Sequence, residues 1–164
     1  MKKDLKQIII WAIVVVILAS LLSAFTFWKP YKIGDTARID VKYQDGKRTM
    51  LPSSPHYYEY EKAVKRALNG AMASLFLKVD VDIEVDNEYI KLCREQAPLW
   101  VELYFDKGKY QRMFFVLTEG EDRQTVTVFA TTEYDYDSAE ILGYRDCNCK
   151  ELFRVIADYA VENG

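Results

Sequence analysis

The alternation of apolar and polar positions divides this chain into one long apolar run and a mixed remainder. Residues 8–28 are uncharged over 21 positions, and Trp11 and Trp28 lie near the two ends of the run. A helix of about 20 apolar residues crosses the hydrocarbon layer of a membrane. The pattern therefore predicts a single transmembrane helix over residues 8–28.

Charged residues on either side of the run indicate its orientation. Residues 1–7 contain three lysines and one aspartate, whereas Lys29 and Lys32 follow the run. Positively charged flanks tend to stay in the cytoplasm. We therefore expect a cytoplasmic tail at residues 1–7, a linker at residues 29–35 and a domain outside the cytoplasm at residues 36–164.

A cleaved secretory signal is the alternative interpretation of the same run. Its apolar part would cover residues 8–22, which is the upper limit of length for such a signal. Cleavage after Ala24 would place Leu22 where signal peptides have a small residue. A helix buried in a soluble protein is the remaining alternative. The first two interpretations both deliver the domain outside the cytoplasm, either anchored in the cell membrane or secreted.

Period-2 alternation predicts most of the strands of the domain. Ile39 and Val41 alternate with charged neighbours, and Asp45-Gly46 predicts a hairpin turn before a second strand. The clearest alternation runs from Leu75 to Val85. Residues 89–93 predict a short strand, with a helical turn as the alternative. The remaining predicted strands cover residues 48–51, 99–105, 109–117, 123–132 and 140–144.

Two segments have apolar residues at helical spacing. The first begins near Ser53 or Ser54, either of which can cap a helix with Pro55 in its first turn, and it ends at Asn69-Gly70. The second follows residue 148 and has an apolar face formed by Leu152, Val155, Ile156 and Tyr159. Strands joined by tight turns pair antiparallel. The sequence thus predicts an α+β fold with a mainly antiparallel sheet, two helices packed on one face and a solvated second face.

Composition and charge narrow the range of partners. The chain has 164 residues and a net charge of −3, and removal of the basic tail leaves the domain at about −5. Nucleic acids and anionic membrane surfaces are polyanions, so an acidic domain argues against either as the partner. The 12 tyrosines and 8 phenylalanines exclude a disordered chain.

Three cysteines are compatible with a disulfide outside the cytoplasm. Cys147 and Cys149 are separated by one residue, and a bond between them would close a small, strained ring. A disulfide from Cys93 to Cys147 or Cys149 is the more favourable pairing. Three free thiols remain the simpler interpretation, because a buried cysteine behaves as a small hydrophobic residue.

Candidate metal-binding and catalytic residues lack the spacing that their chemistry requires. An EF-hand loop counted from Asp80 would need glycine and glutamate where Val85 and Lys91 stand. A zinc site would have to combine the three cysteines with His56, the only histidine, without a CxxC pair. No nucleotide-binding or hydrolase motif occurs. The sequence therefore predicts no cofactor, no metal and no catalytic residue.

Tyrosines next to carboxylates are the most suggestive surface feature. Tyrosine is enriched where proteins recognise partners. The candidate binding residues are Tyr134, Asp135, Tyr136, Asp137, Tyr57 and Tyr58. Together with Tyr60 they would line one groove if the fold brings them together.

These features together predict a non-catalytic binding or regulatory module of the bacterial cell envelope that contacts another envelope protein. A domain that binds cell-wall glycan or peptide is the alternative, and a hydrolase is the third hypothesis. The sequence leaves the oligomeric state open.

Overall fold

The computed structural model describes residues 13–16, 31–74 and 85–161, with side chains except at residues 72–74 and 159–161. Residues 13–16 are helical, and the rest of the apolar run lies outside the described residues. Within these ranges, no helix combines the length and the apolar character needed to cross a membrane. The transmembrane helix over residues 8–28 stays a prediction.

Within the described ranges, seven strands form one antiparallel sheet and three helices of the domain pack against it. The spatial order of the strands is β2-β1-β4-β5-β6-β7-β3. The predicted α+β class is therefore confirmed. In chain order the elements are β1 (Arg38–Tyr43), β2 (Gly46–Met50), α1 (Tyr57–Asn69), β3 (Met72–Ser74), α2 (Asn87–Gln96), β4 (Leu99–Tyr104), β5 (Arg112–Val116), β6 (Arg123–Thr131), β7 (Glu140–Asn148) and α3 (Lys150–Val161).

The turn between β1 and β2 differs by one residue from the predicted turn. Tyr43 pairs with Gly46, which leaves Gln44 and Asp45 as the turn residues. Gln44 adopts a φ of 53°. Two-residue hairpin loops require such positive φ values because they match the twist of the strands. The hairpin was predicted, but its turn contains Gln44-Asp45 rather than Asp45-Gly46.

The first face of the sheet packs against α1 and α3, as the sequence predicts. Apolar residues of both helices and of alternating strand positions form one large buried cluster. The described part of the predicted linker joins this cluster, because Ile33 is buried and its amide donates to Asn69 Oδ1 at 2.7 Å. Because alternating strand positions are buried on this face, the apolar pattern of the sequence was enough to predict it.

The second face of the sheet is covered, so the prediction of a solvated face is wrong. Ile90 of α2 packs with four aromatic side chains in a second buried cluster. Residues 89–93, predicted as a short strand, lie inside α2, and the helical alternative is the correct one. The other members of the second cluster are Trp100, Phe114, Phe129 and Tyr136. The predicted strand from Leu75 to Val85 falls outside the described residues except for Val85.

Candidate functional site

Two buried carboxylates lie side by side on the second face. Asp40 of β1 is the direct cross-strand partner of Glu102 of β4. Their exposed fractions are only 1% and 2%. Two like charges opposite each other destabilise a sheet, and a buried charge requires a partner. The structure therefore needs cations at this position, and three arginines provide them.

Arg38 pairs with Asp40 through two hydrogen bonds. Its Nε donates to Oδ1 at 2.8 Å and its Nη2 donates to Oδ2 at 2.5 Å. Burial by itself raises the pKa of Asp40, but hydrogen bonds from Arg38 and Thr49 and the charges of Arg38 and Lys47 outweigh it. The net result is a pKa below the usual range, so the carboxylate is ionised at neutral pH.

Glu102 is held by two further arginines and a tyrosine. Arg94 Nη2 donates to both carboxylate oxygens at 2.6 and 2.8 Å, and Arg112 Nη2 donates to Oε1 at 3.0 Å. The hydroxyl of Tyr136 donates to the same oxygen at 2.9 Å. These bonds connect β4, β5, α2 and the loop after β6. We call Asp40, Glu102, Arg38, Arg94 and Arg112 the buried charge cluster.

Replacement of Asp40 by asparagine is expected to reduce the acid sensitivity of the fold. A carboxyl group with a lowered pKa stabilises the folded state above its unfolded pKa of about 3.9, and this contribution is lost as the pH falls through the lower folded pKa. Urea titrations of the native chain and of Asp40→Asn between pH 7 and pH 2 measure the difference. The variant should be less stable at pH 7, and its stability should decline less below pH 4. Parallel pH profiles would contradict this assignment.

A cleft of about 760 Å³ opens beside the buried charge cluster. We call it the Arg112 cleft. The Arg112 guanidinium carbon lies 4.8 Å from the ring centre of Tyr104 and 5.3 Å from that of Tyr136. Cation–aromatic contacts and the ion pair with Glu102 thus fix this arginine. The lining residues are Arg38, Tyr104, Phe105, Asp106, Lys107, Gly108, Tyr110, Gln111, Arg112 and Tyr134.

The predicted binding residues in the loop at residues 132–139 differ in their exposure to solvent. Tyr136 is 1% exposed and belongs to the second cluster, whereas Tyr134 is 84% exposed at the rim of the Arg112 cleft. Asp137 Oδ1 accepts hydrogen bonds from the amide and the side chain of Asn87. Asp135 is half-buried, and its Oδ1 accepts from the amide of Asp137 at 3.3 Å. Of the predicted loop residues, Tyr134 is therefore the one that presents its ring to solvent.

The tyrosines of α1 lie on the other side of the sheet. Tyr57 and Tyr60 are buried in the first cluster, and the hydroxyl of Tyr57 donates to the carbonyl of Thr36. Tyr58 is 68% exposed. The structure does not bring Tyr57 and Tyr58 together with Tyr134 and Tyr136, because the sheet separates them. A groove lined by both groups is not formed.

The three cysteines are free thiols on two sides of the sheet. Cys93 packs against the second cluster, while Cys147 and Cys149 belong to the first. The possible disulfide between Cys93 and Cys147 or Cys149 is therefore not formed, and the interpretation with three free thiols is the one that the structure bears out. Burial is the main cause that raises the pKa of Cys147 to about 11 and that of Cys149 to about 12. Thiols with such pKa values are protonated near neutral pH and are poor nucleophiles.

His56 lies on the surface, whereas Cys147 and Cys149 are fully buried. It has a left-handed φ of 61° immediately before α1, so the predicted capping by Ser53 or Ser54 is wrong. Its Nδ1 lies 3.0 Å from Glu59 Oε2 on the surface of the same helix. Among the described residues, no three His, Cys, Asp or Glu side chains converge to hold a metal ion.

The buried charge cluster was not predicted from the sequence. Asp40 and Glu102 stand at polar positions of alternating strands, where a solvated side chain is the simplest interpretation. The segment Leu99–Tyr104 contains a signal that could have revealed it. Trp100 and Tyr104 flank Glu102 on the same face of the strand, and these large aromatic side chains indicate that this face is covered too. Comparison of the chain with protein-family models, curated proteins and solved structures found no match, so the candidate site rests on its own geometry.

Proposed function

We propose that this chain is a membrane-anchored, non-catalytic binding module of the bacterial cell envelope, whose domain contacts another envelope protein through the Arg112 cleft. The anchor is the apolar run at residues 8–28. Its described part supports this role, because Ile13, Val15 and Val16 are 53%, 60% and 63% exposed on a helix. Consecutive exposed apolar side chains favour lipid over water.

A rigidly held but exposed tyrosine is the observation that carries the binding role. Arg112 Nη1 donates to the carbonyl oxygen of Tyr134, and Tyr136 two residues later is buried. The amide of Tyr136 also donates to Asn87 Oδ1 at 3.0 Å. A tyrosine whose backbone is fixed loses little conformational entropy on binding, and it offers a large amphipathic surface. Tyr134 therefore has the properties of a side chain that contributes strongly to binding a partner.

The charge of the cleft favours an acidic group on the partner. Three guanidinium groups share two buried carboxylates, so the buried charge cluster has a net positive charge. Arg38 remains 40% exposed at the cleft, where Lys107 also lies. Arginine binds carboxylates and phosphates through paired hydrogen bonds, and the side chains of a protein partner supply carboxylates. The proposed contact is an acidic side chain of the partner next to the ring of Tyr134.

Replacement of Tyr134 by alanine is expected to weaken partner capture by at least about tenfold, as for an interface hot spot. Tyr58→Ala is the matched control, because Tyr58 is also exposed but lies beyond the opposite face of the sheet. Both full-length variants are expressed in the source membrane, cross-linked and purified, and the captured proteins are quantified by mass spectrometry. Equal capture by Tyr134→Ala and Tyr58→Ala, or no specific partner for the native chain, would overturn the proposal.

A cell-wall glycan or peptide is the second candidate ligand for the same cleft. The rings of Tyr104, Tyr110 and Tyr134 line it, and aromatic rings beside hydrogen-bond donors suit a sugar or a peptide carboxylate. Sedimentation of the detergent-solubilised chain with purified wall material separates the two candidates. Retention of the native chain, lost in Tyr134→Ala, supports the wall ligand, and recovery of all chain in the supernatant eliminates it.

A further inference from the structure

Tyr31 fixes the point where the chain enters the domain. Its ring lies 4.8 Å from that of Tyr110, in an edge-on arrangement. The hydroxyl of Tyr144 donates to the carbonyl oxygen of Tyr31 at 3.2 Å. A Cβ atom added at Gly108 would lie 3.4 Å from the Tyr31 hydroxyl. Tyr31 is therefore attached to the loop between β4 and β5, residues 105–111, which we call the entry loop.

The distance from the proposed anchor to this point is short. Trp28 ends the apolar run, and three Cα–Cα steps separate it from Tyr31. Three such steps span at most about 11 Å. The headgroup region on each side of a bilayer is roughly 5–8 Å thick. Tyr31 and the entry loop attached to it must therefore stand within or next to the headgroup layer.

We infer that the entry loop is a membrane-contact surface, in which Lys107 meets the phosphates of lipid headgroups while Tyr31, packed against the buried ring of Tyr110, stands at the membrane–water interface. This inference rests on the proposed function, because it takes residues 8–28 as the anchor. It sets the orientation of the domain, with the entry loop against the bilayer and the β1–β2 hairpin directed away from it.

The chemistry of the entry loop fits this position. Residues 106–109 are all exposed and include two lysines. Lys109 also pairs with Glu140 and Tyr110, whereas Asp106 adds one negative charge to the loop. Tyrosine and lysine are typical residues of the interface, where an amphipathic side chain meets both apolar and polar groups. The acidic net charge of the domain does not prevent the contact, because the anchor imposes it.

This orientation places the Arg112 cleft beside the membrane, because the entry loop forms one of its walls. A partner that reaches the cleft must then present its acidic group close to the bilayer surface. The partner class is therefore a protein that is itself anchored in the same membrane, and its contacting segment lies next to its own transmembrane helix.

Spin labels at two matched positions test the orientation. Asp106→Cys and Asp45→Cys each replace an exposed aspartate in a turn, at opposite ends of the sheet. The two ends are about 20 Å apart, given six residues in β1 at roughly 3.3 Å each. Each substitution is made in the full-length chain that also carries Cys93→Ser. The labelled variants are reconstituted in phosphatidylcholine vesicles that contain a nickel-chelating headgroup lipid. Paramagnetic relaxation of each label by headgroup-bound nickel is measured.

The inference predicts a relaxation enhancement several-fold larger at residue 106 than at residue 45. Addition of Lys107→Glu should reduce the enhancement at residue 106, whereas Lys150→Glu, an exposed lysine at the far end, should leave it unchanged. Equal enhancement at both labels in protein that floats with the vesicles would overturn the membrane contact of the entry loop but not the anchor of the proposed function. Protein that does not float with the vesicles would instead overturn the anchor of the proposed function.

Discussion

Replacement of Glu102 by glutamine is expected to lower the free energy of unfolding by about 2–3 kcal/mol, because it leaves the half-buried guanidinium groups of Arg94 and Arg112 without their charged partner. Arg94 and Arg112 both donate to this carboxylate, whose residue is 2% exposed. The amide of glutamine carries no charge, and its NH2 group places a donor where Oε2 of Glu102 accepts from Arg94.

Urea titration of the full-length chain in detergent micelles, followed by near-UV circular dichroism, measures this loss. Glu95→Gln is the control, because Glu95 is an exposed carboxylate on α2. An exposed substitution of this kind changes the stability by no more than about 0.5 kcal/mol. Similar midpoints for Glu102→Gln and Glu95→Gln would mean that the buried charge cluster does not hold the second face together.

The first face was predictable because its signal is local. Apolar residues alternate along β1 and recur at helical spacing in α1 and α3, and each pattern needs only one segment of sequence to be recognised. Ile39 and Val41 are buried, as are Leu152 and Ile156. The hydrophobic effect acts on each of these residues in the same way, so no knowledge of their partners is required.

The second face was not predictable in the same way because its polar residues are paired across the sheet. A period-2 pattern assigns Asp40 and Glu102 to the solvated side, whereas ion pairs with arginines from other elements bury them. Arg94 comes from α2 and Arg112 from β5, so no single segment contains the complete cluster. Charge patterning does not distinguish an exposed carboxylate from a buried, paired one.

The helix α2 was harder to predict, because the alternating charges before it hide the helical spacing of its apolar residues. Cys93 follows Ile90 by three residues and Tyr89 by four, which is the spacing of a helical face. Asp86 supplies the missing start signal, because its Oδ1 accepts the Tyr89 amide at 2.7 Å. A carboxylate at the N-cap is favourable at a helix start. In the sequence the same aspartate continues the alternating charges that precede it, which favoured a turn followed by a strand.

Substitutions at Tyr134 and Tyr136 test whether the loop at residues 132–139 binds a partner or stabilises the fold. Tyr136→Ala is expected to lower the free energy of unfolding by about 3–5 kcal/mol, as for other buried aromatic residues. Its ring packs against Phe114, and its hydroxyl donates to Glu102. Burial and the charge of Glu102 raise the pKa of Tyr136, so the phenol keeps the proton that this bond requires.

Tyr134→Ala is expected to change the stability by no more than about 0.5 kcal/mol, because its ring contributes little to the packed interior. Thermal unfolding of both full-length variants in detergent, followed by circular dichroism, measures the difference. The two variants should therefore separate stability from binding: Tyr136→Ala should destabilise the loop and α2 together, whereas Tyr134→Ala should reduce only the capture of a partner. Comparable destabilisation by both would assign Tyr134 a supporting role and remove it from the proposed interface.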